Sequence, residues 1–314
     1  MDLRHTYILM KNNKKILITG SSGTIGTRLF ETLLSLNYQV IGFDKKKNIW
    51  QVSLNNKTII GDLLNENDIR KIPKDIDLIV HLAANARVYD LVVEPKLALE
   101  NIIATFNVLE FARKNQIKKI IFSSSREVYG NKKEMVSRET DVNIERCESP
   151  YSASKISDEA MIYSFSKCYG LNYIVCRFSN VYGMYDKSNR FVPLMIKKMK
   201  KNEDIEIFGK GKVLDFTYID DCIFGILACV ESFDRTKNNT FNIASGKGTN
   251  LIKVAGIIKK SLGSKSQILL GNNRLGEVVK YVADISKAKK MLKYLPKVSI
   301  KEGIEKSVIW YTKK

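Results

Sequence analysis

A phenol and an amine four residues apart, Tyr151 and Lys155 in the run Ser149-Pro150-Tyr151-Ser152-Ala153-Ser154-Lys155, are residue types that can move a proton together. A free tyrosine, with a pKa of about 10, is a poor base at neutral pH. Residues four apart on a helix share a face, and an ammonium held beside a phenol favours its ionised form. Upstream, Ser123-Ser124-Ser125 follows the apolar run Lys118-Lys119-Ile120-Ile121-Phe122, so hydroxyls stand at the end of an expected strand.

Positioning such a pair requires a scaffold, and the chain supplies one. Lys15-Ile16-Leu17-Ile18-Thr19 reads as a buried parallel strand, Gly20-Ser21-Ser22-Gly23-Thr24-Ile25-Gly26 as a tight turn, and Ile25, Leu29, Phe30, Leu33 and Leu34 recur at helical spacing. Strand, glycine turn and helix in this order place a pyrophosphate on a helix N-terminus, with Gly20, Gly23, Thr24, Ile25 and Gly26 around it. A second strand from Tyr38 to Phe43 ends at Asp44, where a carboxylate would hold ribose hydroxyls and repel a 2′-phosphate, so NAD is the expected cofactor. Lys45, Lys46 and Lys47 could offset that repulsion; they read as a solvated loop.

Further strands are expected at 58–60, 77–81, 118–122 and 173–178, alternating with helices. That alternation predicts an α/β fold, a Rossmann-type doubly wound parallel sheet, with ligands at the carboxyl ends of the strands. The later third reads as a smaller α/β lobe. The expected division is 1–178 with 217–244 for the dinucleotide half and 179–216 with 245–314 for the substrate lobe.

Six motifs in order resemble the extended short-chain dehydrogenase/reductase family, in its NAD-dependent nucleotide-sugar epimerase/dehydratase branch: the glycine turn, Asp62-Leu63, His81-Leu82-Ala83-Ala84, Ser123-Ser124-Ser125-x-x-Val128-Tyr129-Gly130, Tyr151-x-x-x-Lys155 and Arg177-Phe178-x-Asn180-x-Tyr182-Gly183. The resemblance runs from about Lys14 to the C-terminus. It implies Tyr151 as acid/base, Lys155 on the nicotinamide ribose and Ser125 on the reacting sugar hydroxyl. Asp62 and Leu63 would flank the adenine, and Ala83, Ala84 and Phe178 would line the cofactor. Asn180, Phe208, Lys212 and Arg274 would hold the nucleotide and diphosphate, Lys212 standing in for an arginine where this chain has Leu214. Asn101 matches a position near the site, but reads equally as a solvated helix residue.

Ser125-Arg126-Glu127 bears on the reaction. The branch's 4,6-dehydratases carry an Asp-Glu pair there, and this chain keeps Glu127 beside Arg126. Its uronate decarboxylases carry Ser-Glu there and an arginine ahead of the Asp-Ile motif, where Tyr281 stands before Asp284-Ile285. The resemblance therefore implies a UDP-glucose 4-epimerase-like enzyme, an isomerase working through a transient 4-keto sugar. A dehydratase using Glu127 is the alternative, and a non-catalytic RNA-binding relative a remote one.

Composition sets the remaining expectations. The 314 residues carry a net charge of +19, but the lysines are spread along the chain, without the concentrated stripe a nucleic-acid partner needs. No apolar run reaches membrane-spanning length, so no membrane partner is expected. Five cysteines without a CxxC pair suggest reduced thiols in a cytoplasm. Two histidines make a histidine-rich metal site unexpected. The helices at about 95–114 and 151–168 carry apolar residues (Leu97, Ile102, Val108, Leu109; Ala160, Met161, Phe165). The resemblance implies a homodimer in which these helices form a four-helix bundle.

Overall fold

A computed structural model describes residues 14–209, 211–272 and 276–313. Its centre is a seven-stranded sheet of β1 (Lys15–Thr19), β2 (Gln39–Asp44), β3 (Thr58–Ile60), β4 (Leu78–His81), β5 (Lys119–Ser125), β6 (Asn172–Phe178) and β7 (Asn239–Ile243). Their spatial order is β7-β6-β5-β4-β1-β2-β3, and every neighbouring pair is parallel. From β1 the chain winds outward to β3, then returns to β4 on the other side of β1. That reversal opens a crevice beyond the carboxyl ends of β1 and β4, where a doubly wound sheet takes its ligand.

Alternation along each strand sends side chains to opposite faces, and both faces are covered. Ile16, Ile18, Val80 and Ile121 pack into one core cluster, and Leu17, Ile79, Ile120 and Phe122 into another. Continuous apolar runs such as Leu78-Ile79-Val80 are the sequence trace of this double burial.

Three helices position the site. α1 (Thr24–Ser35) buries Leu29, Phe30 and Leu33 against the sheet. α2 (Lys96–Lys114) and α3 (Pro150–Tyr169) lie side by side. α3 begins sharply because the Ser149 hydroxyl accepts the Ser152 N–H and Pro150 fits the first turn; it stops at Gly170, whose φ of 69° favours glycine.

The remaining strands build a second sheet around Val213–Tyr218, which pairs in parallel with Asn180–Tyr182 and Lys280–Ala283 and antiparallel with Gly248–Asn250. Val136–Ser137 extends this sheet from the first half of the chain, an excursion its short, polar sequence does not announce. Ile205–Phe208 pairs with Ile268–Gly271.

Candidate active site

At the crevice lies a cavity of about 570 Å³, with Gly20, Gly23, Thr24, Ile25 and Gly26 at one end, Ser125, Tyr151 and Lys155 in the middle, and Asn180, Phe208 and Lys212 at the other. Residues spread over almost two hundred positions of sequence thus share one wall.

The glycine turn is shaped for a dinucleotide. A Cβ on Gly26 would run into the carbonyl oxygen of Gly20, and one on Gly20, whose φ is 71°, would lie 2.7 Å from the backbone nitrogen of Ala83. Gly23 caps α1 without a side-chain hydrogen bond, and no acidic residue occupies its first turn, so the positive helix end faces the cavity uncompensated. At the tip of β2 the Asp44 carboxylate accepts the backbone N–H groups of Ser22 and Lys46, both at 2.9 Å. Burial pushes its pKa up, partly offset by these hydrogen bonds. Lys45 is drawn to Asp62 at 3.1 Å, away from a 2′-phosphate role. These features fit NAD.

Other cofactor expectations sort by position. Ala84 and Phe178 line the cavity, while Ala83 packs against Gly20. Leu63 is buried in the core beside Phe43, and its carbonyl accepts the Asn107 amide at 2.7 Å. Its side chain therefore serves packing.

Tyr151 and Lys155 are both buried on α3 and line the cavity. The Lys155 ammonium sits 4.6 Å from the centroid of the Phe122 ring and 3.7 Å from Asp158 Oδ2. His81, buried beneath, contacts the Thr19 hydroxyl at 2.6 Å and the Thr105 hydroxyl at 3.2 Å. Burial, helped by the Lys155 charge, lowers its pKa to about 3, so it is neutral at physiological pH. Ser125 ends β5, and its Oγ accepts the Glu127 N–H at 3.2 Å, so one hydroxyl both caps the next turn and lines the cavity.

Arg126 and Glu127 are paired at 2.6 Å, both buried. Burial raises the Glu127 pKa and the Arg126 charge opposes the rise. The guanidinium also lies 5.7 Å over the ring of Tyr281, itself stacked on Tyr129. Lys212 is buried and ion-paired with Glu277. Asn180 donates to the Asp215 carbonyl at 3.0 Å. Arg274 lies outside the described residues.

Asn101 is not a solvated helix residue. It is buried, accepts the Asn85 N–H at 2.7 Å, donates to the Asn85 carbonyl at 3.0 Å and to the Ser154 hydroxyl at 3.3 Å, and so locks α2 to the loop after β4 and to α3. Sequence reasoning missed Arg87, Arg190 and Glu277, which also line the cavity; Arg190 donates to the Ala86 carbonyl at 3.2 Å. Arg87 and Arg190 stand outside the recognised motifs and gave no local signal, and Glu277 was passed over beside Arg274.

A parallel sheet reversing at a glycine-rich crevice, with serine, tyrosine and lysine at its centre, defines a short-chain dehydrogenase/reductase of the extended type. The chain matches the NAD dependent epimerase/dehydratase family over residues 16–244 and belongs to it. It is 30% identical to a UDP-glucuronate 4-epimerase of Thermodesulfobacterium geofontis, over 94% of this chain and 95% of that one. The UDP-glucose 4-epimerase of Thermotoga maritima, solved with UDP-glucose, superposes with a TM-score of 0.87 at 32% identity, covering 95% of this chain and 99% of that one. The UDP-glucuronic acid 4-epimerase of Bacillus cereus, solved with UDP-glucuronic acid and NAD, gives 0.87 at 31% identity with the same coverages.

Proposed function

We propose that this protein is an NAD-dependent nucleotide-sugar 4-epimerase acting on a UDP-sugar. The observation that carries the reading is the turn Ser125-Arg126-Glu127. The only carboxylate beside Ser125 in this turn is tied to Arg126 at 2.6 Å, so it is not a free partner for Tyr151 in expelling water. The pairing of Glu127 disfavours the dehydratase alternative.

Bound NAD would supply a reversible hydride sink, held by Gly20, Gly23, Thr24, Ile25, Gly26, Asp44 and Lys155. Ser125 orients the sugar 4-hydroxyl, and Tyr151 takes its proton. The resulting 4-keto sugar turns over inside the cavity, and Tyr151 returns the proton once the opposite face is presented. Asn180 and Phe208 line the nucleotide end of the cavity. Lys212 is already neutralised by Glu277, which leaves Arg190, with no carboxylate partner among the described residues, as the less committed cation for a diphosphate. The assignment of Arg274 to the diphosphate rests on sequence resemblance.

The same reading includes a homodimer. Val108 and Leu109 are spent on the sheet, but Leu99, Ile103 and Phe106 stand exposed on α2 at helical spacing, with Phe106 6.4 Å from Phe165 of α3. Two adjacent helices with an apolar outer face suit a two-fold copy that completes four. The division into a dinucleotide half and a substrate lobe is supported by the pairing of β7 with β6 and by the separate sheet around Val213–Tyr218. A cytoplasmic place in surface polysaccharide or glycoconjugate supply completes the proposal, supported by five cysteines that are all free. No helix among the described residues is long and apolar enough to cross a membrane.

The deciding experiment is incubation with UDP-glucose, UDP-glucuronate and UDP-N-acetylglucosamine, read by NMR. A mixture of 4-epimers from one of them is expected; a 6-deoxy-4-keto product would replace this reading with dehydration.

A further inference from the structure

One titratable group near the site has no part in the mechanism above. Asp158 lies one turn beyond Lys155 on α3 and is fully buried, with 0% of its surface exposed. Neither carboxylate oxygen makes a close hydrogen bond; the donors acting on it are the Thr105 hydroxyl of α2 and the Lys155 ammonium. Its nearest charge is the Lys155 ammonium at 3.7 Å. A buried carboxylate without close donors is costly, so a position that carries one invites a reason.

We infer that Asp158 is a positioning residue for Lys155: from beneath the sheet-facing side of α3 it balances the buried ammonium and limits how much of that charge reaches the cavity where Tyr151 stands. The inference rests on the roles proposed above for Tyr151 and Lys155.

The surroundings leave Lys155 little other compensation. Its remaining contact is the face of Phe122, and the histidine below, His81, is neutral. Glu159, the next residue of α3, is held by Arg177 with contacts of 2.9 and 2.7 Å and by the Ser124 hydroxyl at 2.5 Å, so its charge is already used. Besides Lys155, the groups acting on Asp158 are the neutral Thr105 hydroxyl of α2, which favours the carboxylate, and the Glu159 charge, which opposes it. Burial pushes the Asp158 pKa up to about 6, with Lys155 the main opposing influence. The carboxylate is therefore ionised at pH 7 and takes up a proton in mildly acid solution. Between those limits the ammonium passes from a balanced to an unbalanced charge, and more of that charge reaches the cavity.

The test compares wild-type protein with Asp158→Asn, which keeps shape and removes charge, and with Asp158→Ala as a second probe should the amide misfold. The acid limb of kcat/KM in the variants is expected to move to lower pH by about half a unit to one unit. NADH affinity, followed by fluorescence between pH 5 and 8, is expected to lose its dependence on pH around 6. An active Asp158→Asn enzyme whose acid limb and NADH-affinity profile both overlay the wild type would overturn the inference while leaving the catalytic reading intact. Full activity in Tyr151→Phe would instead overturn that reading itself.

Discussion

Arg126 and Glu127, neighbours in sequence, form a buried ion pair at 2.6 Å in the wall of the cavity, where the guanidinium also covers Tyr281. Removing one member of such a pair strands the other charge. Arg126→Ala should cost about 3–5 kcal/mol. The sign of its pH dependence follows from Glu127, whose pKa burial already raises and the mutation raises further. A carboxyl with a raised folded pKa contributes most below its unfolded value and loses that contribution as pH rises. Thermal denaturation should therefore show a larger loss at pH 8 than at pH 5, and an equal loss at both would contradict the pairing.

Tyr151→Phe removes the one proton acceptor that the mechanism uses. Epimerisation should fall by about 10²–10⁴-fold, the usual contribution of a general base. NAD content of the purified protein should stay near wild type, because the glycine cradle is untouched. Loss of both together would mean a misfolded helix.

His81 ties stability to acid. Its folded pKa of about 3 lies well below the value of 6.5 from which burial lowers it. A depressed histidine keeps the fold stable above its unfolded pKa and progressively withdraws that stability as pH falls toward the folded value. The slope approaches about 1.4 kcal/mol per pH unit for the single group. In His81→Asn this component disappears, so the gap between variant and wild type in urea unfolding should narrow from pH 7 to pH 5. A gap that widens on acidification would refute the assignment.

Phe106 is 45% exposed on α2, beside Leu99 and Ile103. Phe106→Asp places a charge at the centre of that apolar face. Sedimentation should shift from dimer to monomer, with circular dichroism unchanged. A wild type that sediments as a monomer would remove the dimer from the proposal.

Much of this was legible along the chain. β1, the glycine turn and α1 betray themselves because double burial writes continuous apolar runs and a close backbone approach demands glycine. Tyr151 and Lys155 share a helix face by spacing alone, and Ser149-Pro150 marks where that helix starts. Such features depend on residues within a turn or two of one another, so local chemistry suffices to read them.

Other features came only from the folded chain. Nothing local distinguishes Asp158 from the exposed polar residues of α3; its burial follows from α2 packing alongside and from α3 packing on β5 and β6. Asn101 became a clamp because the loop after β4 passes within 2.7 Å of it. Arg177 of β6 found Glu159 because α3 packs across β5 and β6, and Val136–Ser137 joined the second sheet through Lys280–Ala283. The sequence by itself determined which groups could do chemistry and on which kinds of element they sit. Tertiary structure decided which charges are buried together, because desolvation and Coulomb energy depend on neighbours brought in from distant parts of the chain.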